Sequence, residues 1–252
     1  QQEKDELKLV PEGIEMIKID YLSGNINAKT IEPLITKKTK AIAVVHIAGW
    51  PADMYNILKL ARKYNLKILE DCSQAHGAKI DGRSVGSFGD VATWSFCQDK
   101  IISTAGEGGI ITTSSKKYYD FIWSYKDHGK SFDLMQKNIN AISYQKIYQG
   151  FGTNLRITEI QSAIGRIQLR KLKDWTNIRK KNAEVIINKL KNLKIARIEV
   201  PSENFVHAWY KLYIYLDFNF INNNWNRDKI IKEITNNGFP AFSGSCSELY
   251  ME

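Results

Sequence analysis

The sequence predicts an α/β fold, a mixed and mostly parallel sheet with helical crossovers, followed by part of a smaller α+β unit. Three observations carry this expectation. Two apolar runs, 41–47 (AIAVVHI) and 66–69 (LKIL), bracket a segment of helical periodicity. Strand, helix and strand in that order form a right-handed crossover between parallel strands. The runs hold few polar residues, the pattern of strands covered on both faces. Far along the chain, residues 207–218 alternate Leu212, Ile214 and Leu216 with Lys211, Tyr213 and Tyr215, the period-two pattern of a half-exposed strand. The expected division is a large unit over 1–157, a linking helix over 158–195 and a small α+β unit over 196–252.

Taken in order, Ile31, Leu34 and Ile35 give a short helix over 31–39, closed by Lys37 and Lys38. The run 41–47 is a buried strand, and Gly49-Trp50-Pro51 is a turn. Asp53 then caps a helix reaching Asn65, with Met54, Ile57, Leu58 and Ala61 on its core face. Residues 66–69 return as a parallel strand, which sets Asp71 just beyond its carboxyl end. A polar, glycine-bearing connection runs to Gly89. Strands over 91–96 and 109–113 leave Lys100 on the loop between them. Ser115 opens a helix to about Asp127, and 129–150 reads as a loop with an excursion. Thr158 starts a helix to about Leu193, its apolar positions being Ile160, Ala163, Ile164, Ile167, Leu169, Leu172, Trp175 and Ile178. A final short helix over 227–237 ends at Gly238.

Composition narrows the function classes. The chain has 252 residues, 43% hydrophobic and 25% charged, ordinary for a folded protein. Its net charge of +9 invites a nucleic-acid reading, but the lysines are scattered and no basic run is interleaved with aromatics. Anionic small molecules are the better-matched partners. The three cysteines, Cys72, Cys97 and Cys246, are too few and too widely spaced for a disulfide framework or a zinc site. His76 beside Glu70 and Asp71 has no second histidine close in sequence, so no metal site is expected. No apolar stretch approaches the roughly 20 residues of a membrane span. The expected location is the cytoplasm.

The chemistry concentrates in residues 70–109. A carboxylate beyond the carboxyl end of a parallel strand, here Asp71, sits where open α/β sheets bind ligands. A lysine, Lys100, lies between Ser95 and the glycines Gly106, Gly108 and Gly109. Lysine forms a Schiff base with an aldehyde and aspartate holds a protonated ring nitrogen, the pair that pyridoxal 5′-phosphate (PLP) requires. The glycines read as a tight backbone, not a phosphate cradle.

Four phrases, GWPADM (49–54), EDCSQAHGA (70–78), GSFGDVATWSFCQDK (86–100) and GEGGIITT (106–113), together resemble the DegT/StrS family of PLP-dependent nucleotide-sugar aminotransferases. GFGTNLRITEIQSAIGRIQLRKL (150–172) resembles the family's segment opening its long helix. The resemblance spans nearly the whole chain and implies fold type I of the PLP-dependent transferases. It implies Lys100 as the Schiff-base lysine and proton shuttle, and Asp71 as the partner of the ring nitrogen. It further implies that Gln74 meets the ring hydroxyl, Ser95 the phosphate, and Asn154 the phosphate of a neighbouring subunit in a homodimer with composite sites. Arg156 is open between a substrate phosphate and a plain ion pair.

The implied reaction is transamination of a nucleotide-linked keto-sugar with L-glutamate as amino donor, giving an amino sugar for surface polysaccharide or glycoside biosynthesis. Alternatives are a sugar dehydratase of the same family, or a catalytically inactive regulatory or binding homologue. The dehydratases carry histidine where this chain has Lys100. By the same resemblance the chain is expected to be a fragment, lacking an N-terminal segment and the end of the small domain.

Overall fold

Alternating burial, not continuous burial, defines the first strands. The computed structural model describes residues 18–137, 147–222 and 224–244. Asn27 accepts backbone bonds from Lys29 and Thr30 and so starts helix α1 (Ala28–Ile31) earlier than expected. Pro33 follows in a 3-10 turn over Glu32–Leu34, where the regular helix has already stopped. Strand β1 (Ala41–Val45) buries Ile42 and Val44 while Ala41, Ala43 and Val45 face outward. Coverage on both faces is therefore not found among the described residues. One face packs on helix α2 (Met54–Lys63), whose amide of Asn56 is capped by Asp53. The buried side of α2 is Met54, Ile57, Leu60 and Ala61. Leu60 takes the place expected for Leu58, which is only partly covered.

Strand β2 (Lys67–Asp71) lies parallel to β1, with Val45 opposite Asp71. The chain then forms a small hairpin, β3 (Lys79–Ile80) and β4 (Arg83–Ser84), inside what reads in sequence as a plain connection. Strand β5 (Val91–Ser95) runs parallel to β2, with Asp71 opposite Thr93. Strand β6 (Gly109–Thr112) closes the sheet antiparallel to β5, with Ser95 opposite Gly109, in the order β1-β2-β5-β6. Helix α3 (Lys116–Lys126) is capped by Ser115, and α4 (Phe132–Lys137) is the start of the expected excursion. The excursion's residues 138–146 lie outside the described part.

Helix α5 (Glu159–Leu190) is 32 residues long, about 48 Å at 1.5 Å per residue. Its start is a reciprocal capping box between Thr158 and Gln161. Only Ala183 is fully buried, and Ile160, Ile167, Leu169 and Ile178 are exposed. Leu172 and Thr176 approach Gly77, where an added Cβ would stand 3.1 Å from Thr176 Cγ2. Strands β7 (Ala196–Arg197) and β8 (Phe205–Val206) follow; β8 pairs with β3.

The strand expected over 207–218 is reduced to β9 (Tyr215–Leu216), paired with β7. Upstream of it the backbone breaks at Trp209 (φ 52°) and crosses the 48–49 turn as a strap. There the amides of Ala208 and Lys211 donate to the carbonyls of Gly49 and Ala48 at 2.8 and 3.1 Å. Helix α6 (Arg227–Asn236), capped by Asn226, ends before Gly238 at φ 87°. Among the described residues no helix is long and apolar enough to cross a membrane.

Candidate active site

The carboxyl ends of β2 and β5 lie side by side, and these ends with the loops leaving them carry four of the five expected residues. Asp71, half-buried, accepts the Ser73 amide on Oδ1 at 2.9 Å. Gln74 Oε1 accepts the Ala48 amide at 2.7 Å, fixing the side chain and leaving its NH₂ to donate. Gly49 closes this corner at φ 92°; a Cβ there would be 3.0 Å from both the Gln74 carbonyl and Ala208 Cβ. Ser95 Oγ accepts the Cys97 amide at 3.3 Å, which leaves its proton available to an anion.

Lys100 projects from the β5–β6 loop with its side chain 16% exposed. Its Nζ lies 3.2 Å from Asp99 Oδ1 and 3.4 Å from the Tyr210 hydroxyl, and 5.2 Å from the Tyr210 ring centre. Burial pulls the lysine pKa down, but the bonds to Asp99 and Tyr210 outweigh it and the net direction is up. Asp99 also accepts the Tyr210 hydroxyl, and that bond with the lysine beside it holds the carboxyl at about 2. Tyr210 is raised by burial and by its bond to Asp99. The glycines after the loop give the tight backbone expected: a Cβ on Gly108 would stand 2.2 Å from Thr104 Oγ1.

His76 is buried between Trp94 and Phe96, ring centres at 5.4 and 5.8 Å, and neither ring nitrogen has a hydrogen-bond partner. Burial and the nearby Lys100 charge push it down to about 4, against a smaller upward pull from the Ser95 backbone.

Behind the site, Glu70 is wholly buried yet ionised. Its oxygens accept the amides of Gly86, Phe88 and Gly89 at 2.7, 2.8 and 2.6 Å and His46 Nε2 at 3.1 Å. Burial raises the carboxyl, and these donors more than offset it, so the net shift is downward. His46 Nδ1 accepts the Ala52 amide at 3.0 Å, which fixes the imidazole proton on Nε2. Donor atoms of His46, Glu70 and Cys72 lie within 4.8 Å of one another. With the Glu70 oxygens and His46 Nδ1 already engaged, and burial pushing the Cys72 thiol up, this cluster reads as a structural knot.

Asn154 stands apart. It is exposed, makes an isolated backbone bridge with Asp127, accepts the Arg156 amide at 3.3 Å, and bonds to none of the other four. Arg156 pairs with Asp127, which also holds Lys130 at 3.2 Å, the plain ion pair of its two readings. Sequence reasoning missed Asp99, although it adjoins Lys100. It also missed Tyr210, 110 residues from the lysine, for which no local signal exists.

The sequence profile of the DegT/DnrJ/EryC1/StrS aminotransferase family matches residues 13–242. The chain belongs to this family. It is similar to an aminotransferase of Psychrobacter cryohalolentis, at 45% identity and TM-score 0.89, over 94% of this chain and 62% of that one. It is 35% identical over 195 residues to the GDP-perosamine synthase of Escherichia coli O157:H7, covering 77% of this chain and 50% of that protein. The E. coli GDP-4-keto-6-deoxy-D-mannose-3-dehydratase, solved with bound hydrated PLP, shares the fold at TM-score 0.76 and 24% identity, over 88% of this chain and 57% of that one. The chain thus spans about half the length of these curated relatives. The expected fold, a mixed and mostly parallel α/β sheet of PLP transferase type I, is the one the family neighbours have.

Proposed function

We propose that this chain carries the catalytic lysine region of a PLP-dependent aminotransferase, which moves an amino group from L-glutamate to a nucleotide-linked keto-sugar. One observation supports the reading: Asp71 ends β2, Ser95 ends the adjacent parallel strand β5, and Lys100 lies on the loop that leaves β5. The names of relatives, GDP-perosamine synthase among them, support the sugar class.

The donor set suits PLP. Ser95 has a hydroxyl proton to offer a phosphate, Gln74 has its NH₂ for the ring hydroxyl, and Asp71 has one carboxylate oxygen left after Ser73. When bound, PLP supplies an aldehyde for the amine and a ring that withdraws electrons from the carbon bearing it. Asp71 then holds the proton on the pyridine nitrogen through its negative charge. Lys100 Nζ, as the neutral amine, would take the proton from the substrate carbon that bears nitrogen and return it to the carbon on the other side of that nitrogen. The next keto-sugar reverses that transfer. Asn154 serves the phosphate of a neighbouring subunit, so two composite sites form in a homodimer.

The test is to titrate the protein with PLP, follow its visible absorption, and add glutamate and then a panel of nucleotide-linked keto-sugars. A band that glutamate bleaches and a keto-sugar restores is expected. No band, or a band indifferent to glutamate, overturns the proposal.

A further inference from the structure

The lysine amine and the two groups beside it make an arrangement of their own. Asp99 has one carboxylate oxygen toward Lys100 Nζ and the other toward the Tyr210 hydroxyl, and that hydroxyl in turn reaches Nζ, closing a three-membered ring of contacts. Tyr210 is 6% exposed and is fixed from both sides. Its neighbours Ala208 and Lys211 are bonded to the 48–49 turn, and that turn is bonded to Gln74. Lys100 is thus held by a strap that also holds a cofactor-side residue.

We propose that Asp99 and Tyr210 form a docking site for the Lys100 ammonium in the intervals when that amine is neither bonded to the cofactor nor carrying the substrate proton. The inference rests on the function proposed above, in which the lysine would be released once in every full cycle, by the amino donor, and recaptured after the keto-sugar has reacted. A released lysine with no site of its own would swing into solvent; one docked here stays charged, unreactive and within reach. Asp99 favours the ammonium by charge but does not take its proton, because its own pKa sits at about 2. The proton leaving Nζ goes to water. The side chain of Asp99 is 52% exposed, so solvent screens the attraction and keeps the docking reversible. The other groups near this ring are His76, which feels the lysine charge, and Cys97, whose thiol bonds Glu107 and also contacts Asp99.

The test uses cofactor-free protein and acetic anhydride, with the extent of Lys100 acetylation read by mass spectrometry against pH and the exposed Lys189 as internal reference. Asp99→Asn removes the charge that favours the ammonium. The labelling midpoint is then expected at lower pH, and the rate at pH 8 about tenfold higher, the change one pKa unit gives. Asp99→Ser serves the same purpose if the amide variant does not fold. Tyr210→Phe keeps the ring and removes the hydroxyl, so the Asp99 carboxyl, followed by carbon-13 NMR, is expected to rise from about 2 toward its ordinary range. Unchanged Lys100 labelling in the Asp99 variants, or an unmoved Asp99 titration in Tyr210→Phe, overturns the docking site. Both readouts need no PLP, so they fail independently of the aminotransferase proposal.

Discussion

Two neighbouring ends of the sheet handle buried charge in opposite ways. Behind β2, Glu70 is fully buried and every lone-pair direction that matters is filled, by three backbone amides and by His46. Beyond β5, Lys100 and Asp99 are partly open, and at the ends of β2 and β5 and in the loop after β2, Asp71, Ser95 and Gln74 each keep a donor or acceptor unspent. The first end is complete by itself and fixes the loop 86–89 that leads into β5. The second keeps polar capacity that no group among the described residues takes up. A buried ionised group whose partners all belong to the chain contributes to folding, whereas surplus polar capacity at a strand end marks binding.

Substitutions sharpen this contrast, the largest expected effect first. Lys100→Ala should abolish the visible band formed with PLP and all amine transfer. Its unfolding free energy from urea denaturation should stay within about 0.5–1 kcal/mol of the parent, since the lysine lies at the strand end with unspent polar groups. A retained band would remove the lysine from its role. Glu70→Ala should do the reverse. Three amides and His46 Nε2 lose their acceptor in the interior, a loss of about 3–5 kcal/mol measurable by chemical denaturation. A variant as stable as the parent would break the comparison.

Protonation gives an intermediate effect. His76 and His207 titrate at about 4 and about 3 in the folded chain, both below the ordinary 6.5, because burial disfavours the imidazolium. Between those values the unfolded chain binds protons that the folded chain refuses. Stability is therefore full above about pH 6.5 and declines toward pH 4, by about 1.4 kcal/mol per pH unit for each histidine. His76→Leu should roughly halve that slope in denaturation series at pH 4.5–6.5. An unaltered slope would mean that His76 does not stay neutral. The smallest effect belongs to Asp53→Ala, which removes the cap of α2 beneath β1 and should cost about 1 kcal/mol. Helical content by circular dichroism and the urea midpoint would report it, and no change in either would show the cap to be idle.

The parts of this architecture legible in sequence are those encoded locally. β1, β2, β5 and β6 lie within a residue or two of where apolar runs put them, and Asp53, Ser115 and Thr158 each cap the helix their chemistry announces. What escaped depends on distant partners. The β3–β4 hairpin has two-residue strands stabilised in part by Phe205 and Val206, a pairing that leaves no period in either segment. Residues 207–214 alternate like a strand, yet their hydrogen bonds go to the 48–49 turn, and Trp209 takes a left-handed backbone to get there. In α5 the periodicity announces a helix but not what covers it, and Ile160, Ile167 and Ile178 of its apolar positions are exposed. The site divides along the same line. Short phrases in the sequence nominate Asp71, Gln74, Ser95 and Lys100, whereas nothing local announces the partnership of Lys100 with Tyr210.

That partnership also sets an order of events during synthesis. Tyr210 is 110 residues downstream of Lys100. At translation rates of roughly 5–20 residues per second, about 5–20 s separate the two on the ribosome. β1, α2, β2 and β5 are all made before that gap ends, so the sheet can assemble while the lysine has only Asp99 beside it. Lys100 on a nascent chain stalled before residue 210 should therefore acetylate like an ordinary exposed lysine, and become protected once the strap has emerged.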